Sequence, residues 1–414
     1  MCKLGFAKNI ILTIGLVCIF SCNEKAGIQD KNLKENSFKI NTNSNIALDS
    51  VVFVKETIYE SNNDVLLEGI IGGADVDNEG KVFISAVAPG ISAIYVFSSE
   101  GKYLKKMGRF GRGPGEFESI SSLSISGEKL FVLDSRQQRI SIFSTHNLSL
   151  IGDMTIRKDS TDRTDEFSQT MKAMELYSSK YGDEVLLGTE VKSLYDLNRF
   201  TKKRIYSISK DGQLNSEYIV EADRYKFYLP TRADRTGVRW GFTPAFNRQS
   251  LITVSNQGII YVAWTDDFQI EKYNIDGVYK GVIGFSIEKS KLDLESLDIS
   301  KGRMKIIKDV GYPETWPALH NMIVDDLGKL WVATITESDS TFKWYIIGED
   351  EKLKASFNFS GIRANQEVFA KTDIVIIKNG YFYNREYDYV EGIDRIVKYK
   401  INFISEERSK ELVE

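Results

Sequence analysis

Downstream of residue 48 the chain alternates short apolar stretches with polar, glycine-containing turns. The apolar stretches are rich in β-branched and aromatic residues and too short for helices, which predicts strands. One unit recurs: an apolar strand, a tight turn with Gly, and a second apolar strand. It appears in Ala74 to Ile84, Leu123 to Leu133, Met174 to Leu187, Leu251 to Val262, Met322 to Val332 and Ile374 to Tyr383. Glycine is called for there because short hairpin turns need positive φ. The turn glycines at 80, 127, 182, 258, 328 and 380 are 47, 55, 76, 70 and 52 residues apart. Further turns follow at Gly101, Asn147, Gly212, Gly277 and Asp350, so hairpins come in consecutive pairs. Two such hairpins make one four-stranded antiparallel blade of a propeller. A blade takes about 40–50 residues, so the longer intervals carry loop insertions. A β-sandwich also has many short strands but does not repeat the same hairpin pair on schedule.

The sixth unit is one strand short. After Arg395 to Phe403 the chain runs into a polar tail, whereas Val51 to Tyr59 stands before the first unit as an extra strand. An open ring would expose two sheet edges. The sequence therefore predicts an all-β, six-bladed β-propeller of four-stranded antiparallel blades over 49–406. The N-terminal strand closes the ring, and 407–414 form a polar tail.

The first 48 residues read differently. Lys3 and Lys8 precede the uncharged run Ile10 to Phe20. That run is too short to span a bilayer of about 30 Å as a helix, but it suits the apolar part of a signal peptide. It ends in Ile19-Phe20-Ser21-Cys22, which resembles the lipobox of bacterial lipoproteins. The resemblance implies a signal peptide over 1–21 and lipidation at Cys22, with several acyl chains because one alone anchors only marginally. The alternative is plain secretion with cleavage nearby. Residues 22–48, rich in Asn, Lys, Ser and Glu, are expected to be a flexible tether.

Two further stretches resemble NHL-type repeats. Ile94 to Gly108 leads into Arg109-Phe110-Gly111-Arg112-Gly113-Pro114-Gly115-Glu116-Phe117, like an NHL strand pair and interblade turn. Val132-Leu133-Asp134-Ser135-Arg136-Gln137-Gln138-Arg139-Ile140 is similar to the NHL segment between second and third strands, with Gln138 in place of the usual His. Together with the lipobox, these stretches resemble the 6-bladed β-propeller lipoproteins of Gram-negative bacteria. The resemblance implies an exported chain, lipid-anchored to the outer membrane on its periplasmic face or at the cell surface. It brings no catalytic residues.

Composition narrows the chemistry. Net charge is −4, and becomes −6 once Lys3 and Lys8 are removed with the signal peptide, and no basic stripe is visible. Nucleic acid is therefore not expected as a partner. The three Cys lie at 2, 18 and 22, so the folded region has no thiol nucleophile, disulfide or thiolate-bound metal. His146 and His320 are the two histidines, too few for a multi-His zinc site. No cofactor, metal site or catalytic residue is predicted, although a calcium site built from carboxylates stays open. The glycines of 108–117 lack the Lys-Ser/Thr that a phosphate loop needs and fit an interblade turn.

The long insertions Asp153 to Thr170, Glu221 to Asn247 and Ser286 to Pro317 are the candidate binding elements. Tyr312 and Trp316 in the third and His320 just after it, with Arg224, Arg239 and Trp240 in the second, are the candidate ligand contacts at the channel mouth. Their aromatic faces and guanidinium forks suit an acidic sugar or a peptide carboxylate. The plainer alternatives are aromatics that pack the insertion and incidental surface charge. The functional expectation is a non-catalytic binding or scaffold propeller engaging a glycan, peptide or partner protein. The alternative is a propeller enzyme, either a metal-dependent lactonase-like hydrolase or a polysaccharide lyase.

Overall fold

The computed structural model describes residues 37–39, 49–158, 171–178, 185–191, 200–226, 246, 248–297, 299–361, 363, 374–388 and 390–404. Their strands form six sheets, each with four antiparallel strands in hairpin order, making a six-bladed β-propeller. Blade one is β3 (Ile70–Val76), β4 (Val82–Ala88), β5 (Ile91–Phe97) and β6 (Tyr103–Met107). Blade two is β7 (Ile120–Ser126), β8 (Lys129–Asp134), β9 (Arg139–Ser144) and β10 (Leu150–Thr155). Blade three is β11 (Lys172–Ser178), β12 (Val185–Val191), β13 (Phe200–Ser207) and β14 (Val220–Lys226). Blade four is β15 (Ser250–Val254), β16 (Ile259–Trp264), β17 (Gln269–Asn274) and β18 (Tyr279–Gly284). Blade five is β19 (Leu319–Val324), β20 (Leu330–Ile335), β21 (Thr341–Ile347) and β22 (Leu353–Ser360).

Blade six is built from both ends of the chain. β23 (Val375–Lys378), β24 (Tyr381–Asp388) and β25 (Ile393–Ile404) are completed by β2 (Ser50–Tyr59), which pairs antiparallel with β25 from Ser50↔Ile404 to Tyr59↔Ile396. The N-terminal strand thus closes the ring, as the missing sixth-blade strand requires. One feature departs from the expected tether over 22–48: β1 (Ser37–Lys39) pairs in parallel with β18 and adds a fifth strand to blade four. Among the described residues no helix is long and apolar enough to cross a membrane.

The hairpin turns repeat one local device. Asp77 accepts backbone N–H groups from Glu79 and Lys81, and Gly80 follows at φ +81°. Asp325 does the same for Leu327 and Lys329 ahead of Gly328, and Ser255 for Gln257 and Ile259 ahead of Gly258. A short side-chain acceptor mimics a backbone turn, and the left-handed glycine lets the strand return.

The core is divided among the blade interfaces. Successive residues of a strand point to opposite faces, so each second strand packs against both neighbouring blades. Phe83 packs with Ile125, Leu130 and Val132 of blade two, while Ile84 packs with Tyr383 and Ile396 of blade six. Phe131 likewise joins Leu187 and Tyr206 of blade three. Burial on both faces is why these strands read as unbroken apolar runs rather than as alternation.

The 108–117 loop is an interblade turn. Phe117 is buried in the interface of blades one and two, and a Cβ on Gly108 (φ +69°) would lie 2.4 Å from its ring. The Arg139 guanidinium donates to the carbonyls of Arg112 (3.0 Å), Gly113 (2.9 Å) and Glu116. Asp134 accepts from the backbone of Arg136 and Gln137 on one oxygen and Glu118 on the other. The glycines and the NHL-like segment are therefore two halves of one structural joint. Arg109 and Arg112 stay exposed and pair with Glu116 and Glu118.

Candidate functional site

Antiparallel blades place their turns on two faces. The turns β3–β4 and β5–β6, and their equivalents, share one face, called here the turn face. The β4–β5 type of turn and the long connections between blades share the other. On the turn face, where the first and last blades meet, an open cleft of ≈ 540 Å³ is lined by Glu56, Glu79, Glu100, Tyr381, Tyr383 and Lys398, together with turn residues such as Ser99 and Asn379.

The ring closure creates this cleft. The last blade donates to backbone carbonyls of the first: Tyr59 Oη to Ser99 (3.0 Å), Lys398 Nζ to Ser99 (3.3 Å), Lys378 Nζ to Val76 (2.6 Å) and Asn379 Nδ2 to Asp77 (3.1 Å). Gly101 (φ +86°) permits the approach, since a Cβ there would meet the Thr57 side chain at 2.8 Å. Pairing of β2 with β25 slips between Lys55 and Thr57, leaving Glu56 as the extra residue of a bulge. Bulges re-aim side chains, and Glu56 lies 3.7 Å from Lys398.

Lys398 is itself buried, with its ammonium 3.9 Å from the centre of the Tyr381 ring. Tyr383 is 1% exposed yet lines the cleft, and its side chain has no hydrogen-bond partner among the described residues. Burial, with the neighbouring Tyr381 and Glu56, pushes its hydroxyl well above the ordinary tyrosine range, so it remains a neutral donor and acceptor. Hydrogen bonds from Ser99 and Ser98 hold the Glu100 carboxyl low. Lys81 does the same for Glu79.

The described residues among those singled out from sequence lie in separate parts of the fold. Trp316 is buried in a small core of the third insertion, with Phe246 (5.2 Å between rings), Leu292, Leu294 and Ile307. That core is closed by a single 3-10 turn (Leu294–Ser296) and helix α1 (Lys301–Val310). Arg363 stacks 4.2 Å over Trp316, and Arg248 donates to the Thr315 carbonyl at 3.0 Å. Trp316 thus packs this insertion, whose small core also takes in Ile335 of β20. His320 is on β19, stacked on Phe342 at 3.8 Å, and Tyr312 is exposed. Arg224 belongs to blade three, two blades from His320, and pairs with Glu190 at 2.9 Å. Arg239, Trp240 and Cys22 lie outside the described residues.

Arg224 marks a charge cluster that sequence reasoning missed. Glu175 on β11 bonds Lys203 on β13 and accepts from Tyr177, while Glu190 takes Arg224 and Tyr225. All face blade four from neighbouring strands, a juxtaposition visible only once the register is known. Burial alone would raise the Glu175 carboxyl, but Lys203 and Tyr177 outweigh it and hold it at about 2. Burial lowers the Lys203 ammonium despite that partner. With its folded pKa depressed, Glu175 contributes stability that is present above about pH 4.5 and is lost as pH falls toward 2. The Glu175 side chain is 36% exposed, so solvent screening limits this to about 1 kcal/mol or less. Glu175→Gln should flatten the urea-midpoint profile between those pH values, and an unchanged profile would remove Glu175 as its source. Among the described residues no three His, Cys, Asp or Glu side chains are placed to hold a metal ion.

A family model agrees with the fold. Described as a 6-bladed beta-propeller (DUF5128), it matches residues 29–177. No curated protein matches the chain. Among solved structures, a protein of Bacteroides fragilis described as a candidate exported protein is similar at 12% identity, over 88% of this chain and 99% of its own, with a TM-score of 0.48. A member of the DUF4221 family from Bacteroides vulgatus is similar at 11% identity, over 86% and 99%, with a TM-score of 0.48. Virginiamycin B lyase from Staphylococcus aureus is similar at 12% identity, over 85% and 99%, with a TM-score of 0.40. The family match covers the first blade and part of the propeller beyond it, in agreement with the six blades of the structure.

Proposed function

We propose that this chain is an exported lipoprotein, anchored at the outer membrane through lipid on Cys22, whose propeller binds a peptide, glycan or partner protein without transforming it. The observation that carries the binding reading is the cleft at the ring closure. It is open, it is lined by acidic and aromatic side chains from two blades, and none of its lining residues is His or Cys. Convergent aromatic and charged groups in a concave site supply recognition.

The test is to screen the detergent-solubilised mature chain against peptide and glycan arrays and to recover whatever binds. Ligand released unchanged supports a binding protein, whereas conversion to product by the purified chain sinks the reading. The anchor has its own test. Cys22→Ala should move the protein from the membrane pellet to the soluble fraction with its melting temperature intact. A variant that stays in the pellet would refute lipid anchoring at this residue.

A further inference from the structure

Three carboxylates reach the cleft from three elements: Glu56 from the β2 bulge, Glu79 from the β3–β4 turn and Glu100 from the β5–β6 turn. They are too dispersed to chelate one metal ion, since no described group of three such ligands converges. Two have cations of their own. Glu56 faces Lys398 at 3.7 Å, and Glu79 meets Lys81 at 2.5 Å. Glu100 accepts from the Ser99 hydroxyl but has no ion-pair partner among the described residues. Tyr383, 1% exposed, also lines the cleft, and its hydroxyl has no hydrogen-bond partner among the described residues.

Lys398 shows what this environment accommodates. Its ammonium rests on an aromatic face, beside a carboxylate, while donating to the Ser99 carbonyl. Aromatic faces, carboxylates and oxygen acceptors are the groups that replace the hydration of an organic ammonium. Resting on the binding role assigned to this cleft, we propose that it recognises an alkylammonium group. Glu100 supplies the counter-charge and Tyr383 a neutral hydrogen-bond acceptor. That chemistry is offered either by a lysine side chain of a bound peptide or by a free polyamine.

Calorimetry on the solubilised mature chain tests this with three probes: a lysine-rich peptide, the same peptide with acetylated lysines, and spermidine. Wild type should bind the unmodified peptide, spermidine or both, and not the acetylated peptide. Binding of the peptide alone assigns a lysine side chain, and binding of spermidine alone assigns a free polyamine. Glu100→Gln and Tyr383→Phe should each weaken binding roughly tenfold, and raising the salt should weaken it further. Glu100 is at a surface turn, so its variant keeps the fold and decides the matter if Tyr383→Phe proves unstable. The proposal is overturned if no ammonium probe binds, if acetylation makes no difference, or if Glu100→Gln binds as wild type does. Array ligands that still bind the Glu100→Gln chain would leave the binding function standing and remove this assignment alone.

Discussion

Deleting Val51–Tyr59 is expected to unfold the propeller at temperatures where the intact chain is stable. β2 supplies the outermost strand of blade six along its whole length. Its Phe53 ring packs 4.9 Å from Phe357, 5.1 Å from Phe359 and 5.1 Å from Phe382. Tyr59 is fully buried in the interface with blade one. Losing the buried Tyr59 ring alone costs about 3–5 kcal/mol, and with the half-buried Phe53 and a whole strand's ladder the loss approaches the total of about 5–15 kcal/mol that holds a typical domain together. The deletion also exposes β25 as a long unpaired edge, so aggregation should accompany unfolding. Removing residues 23–36 deletes none of the described residues and should leave melting unchanged. Removing 23–47 also takes β1 from blade four and should cause a small loss. Equal melting temperatures for the β2 deletion and the 23–36 deletion would mean that the ring closes in some other way.

Asp394→Ala should cost about 3–5 kcal/mol, the usual penalty for orphaning one partner of a buried ion pair. The Arg385 and Asp394 side chains in blade six are only 6% and 10% exposed and meet in a two-pronged pair, with Nε–Oδ1 at 2.8 Å and Nη2–Oδ2 at 2.5 Å. The same carboxylate accepts the Ile71 N–H of blade one at 3.0 Å. Truncation therefore strands a buried guanidinium and a backbone donor at the ring closure together. The double variant Arg385→Met with Asp394→Leu removes both charges and should lose less than Asp394→Ala alone. Urea denaturation of the variants measures this. A double variant as unstable as the sum of the two single ones would show that packing, rather than charge, dominates there.

The ring closure and the cleft follow from one another, which gives the two ends of the chain a shared role. Tyr59 and Lys398 hold the Ser99 turn of blade one against blade six, and the groups that fix this seam also shape the cleft. Ligand binding on both blades would stabilise the closed ring by mass action.

The repeat was legible along the chain because a blade is local: strands adjacent in sequence pair through short turns, and Asp, Ser and Gly at those turns have positions set by backbone sterics. Ring closure was legible for a similar reason, since a count of strands leaves one missing at the end and one spare at the start. The 108–117 loop could be read as a joint from its glycines and Phe117, though its anchor, Arg139, comes from the next blade and became evident only in three dimensions. Trp316 was ambiguous in sequence, where an aromatic beside a loop fits a ligand contact and a packing residue equally well. Its packing neighbours Phe246 and Ile307 are separated from it along the chain, and only the fold brings them together.

The sequence by itself determined the blade, the number of blades, the strand that closes them and the absence of thiol chemistry in the folded region. Each of these depends on residue type and short-range spacing. The tertiary structure alone decided which side chains meet across blades. Glu56, Glu100, Tyr383 and Lys398 are brought to one cleft by ring closure and a bulge, and Glu175 finds Lys203 through strand register. Such groups lie tens to hundreds of residues apart, and a shift of one residue in pairing would turn each to the opposite side of its sheet. The periodicity that predicts a strand carries no information on which distant side chain will face it.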